Sequence, residues 1–201
     1  DGQTRQALKR QTIPLIFPNS PNVRDYQWES ARKLCKKNGF LISPCGSGKT
    51  LIGLLIAALN GGNFLVLTTR YAEQWISCLN HFFSFMGNVH IHHYGTSSLP
   101  PLFTKTCVIA TYSSFSRSTS CTRKRYLKQQ TYSTVLLDES HYAASEMYMK
   151  LVQDLRKRTR YMCALTATKV REDRELEKLE KIIGSDSHTV QRQILVGHGY
   201  V

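Results

Sequence analysis

The sequence predicts an α/β fold, a mostly parallel central sheet with helices on both faces. Short continuous apolar runs alternate along the chain with longer stretches whose apolar positions recur at helical spacing. The residues just after those runs are chemically selective, and one group of them is a glycine turn ending in lysine and threonine. Apolar strands that alternate with helices form a parallel sheet buried on both sides. Such sheets bind ligands at the carboxyl ends of their strands.

Residues 1–21 are polar and then interrupted by Pro14, Pro18 and Pro21, which reads as an extended lead-in with Leu15-Ile16-Phe17 able to pack on a domain. Residues 22–201 read as one lobe. Val23, Tyr26, Gln27, Ser30, Ala31 and Leu34 lie at helical spacing and predict a helix over 23–37, stopped by Gly39 after Asn38. Phe40 to Ser43 is a strand, 48–59 a helix ended by Asn60-Gly61-Gly62, and Phe64 to Thr68 a strand. A helix over 71–85 carries Trp75, Leu79, Phe82 and Phe83 on its buried stripe. Short strands follow at 89–93, 107–110 and 134–137, then a helix over 143–157, a strand at 161–165 and a helix over 174–183.

The length of 201 residues suits about one domain. The formal net charge of +13 points to a polyanionic partner or to a solvated basic surface. The basic runs Arg123-Lys124-Arg125 with Lys128, and Arg156-Lys157-Arg158 with Arg160, fit either reading. The six cysteines show no C-x-x-C spacing, and several lie in apolar runs, so reduced and mostly buried thiols without a zinc site are expected. No apolar run approaches the roughly 18 residues of a membrane span, and no membrane partner is expected. Because it opens on Asp1 and not on Met, the chain is expected to be part of something longer.

The chemistry gathers after the strands. Ser43-Pro44-Cys45-Gly46-Ser47-Gly48-Lys49-Thr50 sits between an apolar strand and an apolar helix, the context that makes such a string a phosphate site. The backbone N–H groups of the turn and the helix N-terminus would cradle anionic oxygens, with Lys49 on the β- and γ-phosphates and the Thr50 hydroxyl on Mg²⁺. Asp138 ends an apolar strand about ninety residues later, where an acid can hold Mg²⁺ directly or through water, and Glu139 can orient and deprotonate a water. His141 is either structural or a hydrogen-bond partner for Thr166 or Thr168 across the strand tips. Those threonines also fit plain strand-end caps. The Gln27 amide has the geometry to pair with adenine N6 and N7, as it does on DNA. His90, His92 and His93 lack neighbouring ligands of suitable spacing, and no metal is assigned to them.

Taken in order, PCGSGKT, TTRYAEQW, IATYSSF, DESH and LTAT resemble motifs I, Ia, Ib, II and III of superfamily two helicases. The full phosphate-loop pattern has glycine where this chain has Ser43, a departure that helicase-like ATPases commonly share. Arg171-Glu172-Asp173 after LTAT resembles the RED motif of XPB-type helicases, and the V-R-D-Y-Q entry at 23–27, the PCGSGKT loop and the closing Gly199-Tyr200-Val201 also fit that family. The resemblance covers roughly 22–201 and implies the first RecA-like lobe of a two-lobed, ATP- and Mg²⁺-dependent DNA motor. The second lobe, which bears the transition-state arginine, has no match in this chain. Slow turnover by the isolated lobe is therefore expected, since that arginine is worth about 10³-fold or more in related phosphoryl transfer.

By the same resemblance Lys49, Asp138, Glu139 and His141 are catalytic, Thr166 and Thr168 couple hydrolysis to movement, and Gln27 reads adenine. Thr69, Arg70, Thr111 and Tyr112 would touch a sugar-phosphate backbone. Arg171, Glu172 and Asp173 would engage a duplex fork or simply start a helix. The implied partners are DNA, the second lobe and a multiprotein repair or transcription complex. The implied compartment is nuclear for a eukaryotic cellular protein and cytoplasmic or virion-associated otherwise. Two alternatives stay open: a viral or restriction/remodelling-type motor of the same superfamily, and a nucleotide-binding scaffold without turnover.

Overall fold

The computed structural model describes residues 15–16, 23–85, 90–93, 106–116, 130–168, 174–191 and 196. The RED-like Arg171, Glu172 and Asp173, the run from Arg123 to Lys128, the C-terminal Gly199-Tyr200-Val201 and nearly all of the lead-in lie outside these residues.

The described elements, in chain order, are β1 (Leu15–Ile16), α1 (Asp25–Leu34), β2 (Gly39–Ile42), α2 (Lys49–Asn60), β3 (Phe64–Thr68), α3 (Ala72–Phe82), β4 (Ser84–Phe85) and β5 (His90–His93). They continue with β6 (Thr106–Thr111), α4 (Tyr112–Ser116), β7 (Tyr132–Leu137), α5 (Ser140–Ala143), α6 (Glu146–Arg156), β8 (Thr159–Thr166), α7 (Arg174–Ile183) and β9 (Asp186–Thr189). Seven strands form one sheet in the order β5-β6-β3-β7-β8-β2-β9. Every neighbouring pair in it is parallel, as the continuous apolar runs require.

Each run is apolar throughout because its alternate residues serve different cores. Phe40, Leu65, Leu67, Val135 and Leu137 pack with Val152 and Leu155 of α6 and Leu176 and Leu179 of α7. Leu41, Phe64, Val66, Leu136 and Leu165 pack on the other face with Ala31, Ile52, Leu55, Trp75 and Leu79 of α1, α2 and α3.

Several expected elements end differently. The helix expected over 71–85 stops at Phe82; Phe83 turns extended and buries its ring, and Ser84–Phe85 pairs antiparallel with Leu15–Ile16. The helix expected over 143–157 starts only at Glu146, because Ser145 takes an extended conformation as N-cap of α6, and Ala143 instead ends the short α5. The first helix ends at Leu34, before a left-handed Lys36 (φ 59°). Gly39 opens β2 instead of only stopping a helix: a Cβ there would lie 1.9 Å from the Asp186 carbonyl oxygen of β9.

Register aligns the strand ends. Ile42 pairs with Thr166, Leu137 with Ala164 and with Leu67, and Thr68 with Thr111. Ser43, Thr166, Asp138, Thr68 and Thr111 therefore share one edge of the sheet.

Candidate functional site

The glycine turn is built by its backbone. Gly46 and Gly48 have φ of 79° and 78°, left-handed values that favour glycine. Gly48 is the N-cap of α2, and this helix start has neither a side-chain cap nor an acidic residue in its first turn. The first helical bond is Ile52 N–H to Gly48 O at 3.0 Å. The N–H groups of the first turn thus have no intrahelical acceptor and carry the positive end of the helix dipole. Lys49 folds across the turn, donating from Nζ to the carbonyls of Ser43 (3.1 Å) and Pro44 (3.3 Å).

Ser43 is fully buried, and its hydroxyl donates to Ser47 Oγ, which donates in turn to the Pro44 carbonyl at 2.7 Å. Its φ is not left-handed, so glycine is not required there, and the serine hydroxyl helps close the loop.

From below, α1 braces the same turn. Tyr26 OH donates to the Ser47 carbonyl at 2.7 Å, and Gln27 Nε2 to the same oxygen at 3.3 Å. Gln27 Oε1 accepts the Arg24 N–H at 3.0 Å. Gln27 is 5% exposed, and a Cβ on Gly48 would lie 2.4 Å from its Nε2. Both ends of the amide are thus spent on the turn and the helix start. A cleft of about 300 Å³ opens beside it, lined by Arg24, Gln27, Gly46, Gly48, Thr50 and Leu51, with Gln74, Cys78 and Phe82 from α3. Burial pushes the Cys78 thiol up to about 11, so it stays protonated. A larger hollow of about 510 Å³ lies on the outer face of α1, but side chains of that single helix line it, away from the turn.

The acid half is built by side chains from elsewhere. Asp138 Oδ2 accepts from Thr68 Oγ1 at 3.0 Å and from Trp75 Nε1 at 2.9 Å, and Oδ1 accepts the Glu139 N–H at 3.0 Å. The Asp138 carbonyl accepts Tyr112 OH at 2.9 Å. Burial first, then the charges of Asp138 and Glu139 and the neighbouring Tyr148, hold the Tyr112 phenol well above its ordinary range, so it remains a neutral donor. Tyr112 is 2% exposed, and its phenol supports the end of the Asp138 strand.

Glu139 stands at φ 47°, unusual for a non-glycine residue and the kind of strain that clusters at working sites. Its carboxylate is 3.7 Å from His141 Nδ1. His141 leans on Glu139 and does not reach the threonines; Thr166 Oγ1 instead accepts the Thr168 N–H at 3.1 Å. Ser140 Oγ is buried with no partner among the described residues. Arg70 is exposed and Thr69 half-buried, open to a ligand at the strand end, while the Thr111 hydroxyl is occupied with Ser113 and Ser114.

Among the described residues no three His, Cys, Asp or Glu side chains converge as a metal cage. A carboxylate after β7 and a threonine hydroxyl at the start of α2, with β8 between their strands, are hard oxygen donors, which suits a Mg²⁺ ion that keeps several waters and shares phosphate oxygens. The residues fit that ion.

The profile of a family described as type III restriction enzyme, res subunit, matches residues 20–171. The general transcription and DNA repair factor IIH helicase/translocase subunit XPB of Schizosaccharomyces pombe is 27% identical over 94% of this chain and 25% of its own length. The chain spans about a quarter to a third of the curated relatives it matches. The helicase domain of Pyrococcus furiosus Hef superposes with a TM-score of 0.65 at 20% identity, covering 83% of this chain and 38% of that one. The SWI2/SNF2 ATPase core of Sulfolobus solfataricus, solved with double-stranded DNA, gives 0.64 at 16%, covering 90% and 47%. These likenesses show the RecA-like lobe fold.

Proposed function

This chain belongs to the family described as type III restriction enzyme, res subunit, and from that premise we propose that it is the ATP-binding lobe of a DNA helicase or translocase of XPB type. The carrying observation is an uncapped, glycine-turned helix start, one strand away from a carboxylate that three donors hold in place.

The free N–H groups of Gly48, Lys49 and Thr50 bind the phosphates of ATP, joined by those of Cys45 and Gly46; Pro44 has no N–H, and that of Ser47 turns back to the Pro44 carbonyl at 3.3 Å. Lys49 exchanges the loop carbonyls for phosphate oxygens, a stronger and charge-assisted contact. Thr50 and Asp138 hold Mg²⁺, which neutralises phosphate charge when bound. The Asp138 carboxylate already carries three hydrogen bonds, and this favours contact with the ion through water. Glu139 takes the proton of the attacking water, and His141 at 3.7 Å orients that carboxylate. Gln27 senses the loop through the Ser47 carbonyl and turns to adenine only by giving up that bond. Thr166 and Thr168 pass the nucleotide state along the strand ends.

Thr69, Arg70 and Thr111 contact the nucleic acid at the strand ends, and Arg171, Glu172 and Asp173 engage the fork. The DNA named for the relatives supports DNA as the track, and the net charge of +13 fits a polyanion. A second lobe and a multiprotein transcription and repair complex complete the assembly, in the nucleus for a eukaryotic protein.

The test is ATP turnover by the full-length protein without nucleic acid and with single-stranded DNA, duplex DNA or RNA, beside Glu139→Gln. DNA-stimulated turnover that the variant abolishes is expected. ATP binding with no turnover under any condition would turn the reading into a scaffold.

A further inference from the structure

We infer that Trp75 is a positioning residue for the Asp138 carboxylate: its indole N–H, beside the Thr68 hydroxyl, pins Oδ2 and ties α3 to the metal site. This rests on the assignment of Asp138 to Mg²⁺ proposed above.

Trp75 is fully buried in the core between the sheet and the helices. A buried indole N–H needs one acceptor, and a backbone carbonyl would serve. This one goes to Asp138 Oδ2 at 2.9 Å, the oxygen that Thr68 also reaches at 3.0 Å. Two donors from separate elements on one oxygen leave the carboxylate little freedom to rotate. The far end of the same ring meets α2: a Cβ on Gly53 would come within 3.0 Å of Trp75 Cη2. Glycine at 53 is what admits the ring. One side chain therefore touches both the helix that starts with Lys49 and Thr50 and the acid that faces them across β8.

Its backbone adds a third connection. Trp75 lies in the first turn of α3, with its N–H and that of Gln74 on the Tyr71 carbonyl. Tyr71 and Arg70 are exposed at the strand end. A nucleic-acid strand seated on that turn holds the helix start, and through one turn it holds the indole N–H against Asp138. Stimulation by the track then passes through this bond.

The experiment uses the full-length protein with Trp75→Phe, and with a benzothienylalanine at 75 that keeps the bicyclic shape but replaces N–H by sulfur. The affinity of a fluorescent ATP analogue is titrated against Mg²⁺ and again in EDTA, and DNA-stimulated turnover is measured in parallel. Loss of a hydrogen bond to a charged group predicts about a tenfold rise in half-saturating Mg²⁺ and a similar fall in stimulated turnover. Affinity in EDTA should stay within about twofold, because the loop is intact. A packing role would move stability and leave the Mg²⁺ dependence alone, so wild-type Mg²⁺ dependence in the sulfur analogue overturns the inference. A wild-type protein whose nucleotide affinity ignores Mg²⁺ overturns the Asp138 assignment itself, and this inference with it. Mg²⁺-dependent binding without turnover defeats only the motor reading, and the Mg²⁺ shift still decides the role of Trp75.

Discussion

The phosphate loop takes its shape from residues 43–50, with a brace from Tyr26 and Gln27 only 21 and 20 positions before Ser47, whereas Asp138 is held by Tyr112, Trp75 and Thr68, which lie 26, 63 and 70 positions away in the chain. The loop half is made of main-chain geometry: two left-handed glycines, an uncapped helix start and a lysine folded over its own turn. The acid half is made of buried side chains from β3, α3 and α4. A backbone site can be altered with little effect on the core, while a side-chain site shares its residues with the core. Perturbing each half should therefore look different, in ligand affinity for the first and in metal dependence and stability for the second.

The largest expected effect is on the loop. Lys49→Ala should lower stimulated turnover by about 10³-fold, as loss of a phosphate clamp does, with a melting temperature near that of wild type because the side chain is only half-buried. Stopped assays and thermal melts on the same preparation check both halves of that statement. Gly48→Ala comes next. It forces a side chain to φ 78° and sets a Cβ 2.4 Å from the Gln27 amide. A left-handed alanine costs roughly 1–2 kcal/mol, so nucleotide affinity in EDTA should fall about tenfold; unchanged binding would mean that the turn re-forms around the methyl.

Thr68→Val reverses the pattern. It removes one donor from Asp138 Oδ2 and keeps the volume, so half-saturating Mg²⁺ should rise about fivefold while affinity in EDTA is unaltered. The smallest effect belongs to neither half. His188 on β9 bonds to the buried Ser30 hydroxyl at 3.0 Å. Burial, and after it the Lys33 charge, lowers its pKa below the ordinary 6.5, against a smaller opposing pull from Glu29. The unfolded chain takes its proton first as pH falls, so this residue costs stability from about pH 6.5 downward until the folded ring also protonates. His188→Gln should flatten that part of the melting curve against pH and leave nucleotide affinity alone.

The same contrast governs what the sequence discloses. The loop was legible because glycine, lysine and threonine at fixed offsets specify a main-chain shape, and the sheet was legible because strands buried on both faces must be apolar throughout. Arg174–Ile183 was read to its ends because its apolar stripe is regular and flanked by charge. Strand β9, Asp186–Thr189, has no apolar residue, and it exists because Gly39 lets its backbone approach β2. Its pairing partner decides the matter, and periodicity cannot show a partner. The later start at Glu146 was hidden because Ala143 and Ala144 continue the helical spacing, although Ser145 just before Glu146 is a capping signal. Trp75 was read as part of a buried stripe, which it is. Its hydrogen bond to Asp138 depends on where two strands and a helix meet, a relation that no local pattern encodes. The same holds for Tyr112: its place after a strand was visible, but its burial and its bond to the Asp138 carbonyl were not.

Strand β8 lies between the strand that leads into the loop and the strand that ends in Asp138. Two strand spacings, about 9.6 Å, separate the axes of those strands, and Thr50 reaches toward Asp138 from α2, beyond the end of β2. One hydroxyl on one side and a carboxylate that already accepts three hydrogen bonds on the other leave most of the ligand set of a Mg²⁺ ion to water and phosphate oxygens. Loading is then expected to be reciprocal: metal raises nucleotide affinity by the same factor by which nucleotide raises metal affinity. The apoprotein would not compete for free magnesium, and occupancy would follow the supply of the preformed metal–nucleotide complex. Tight calorimetric binding of Mg²⁺ without nucleotide would contradict this. A donor set this sparse thus makes the site a meter of charged fuel and not of either component.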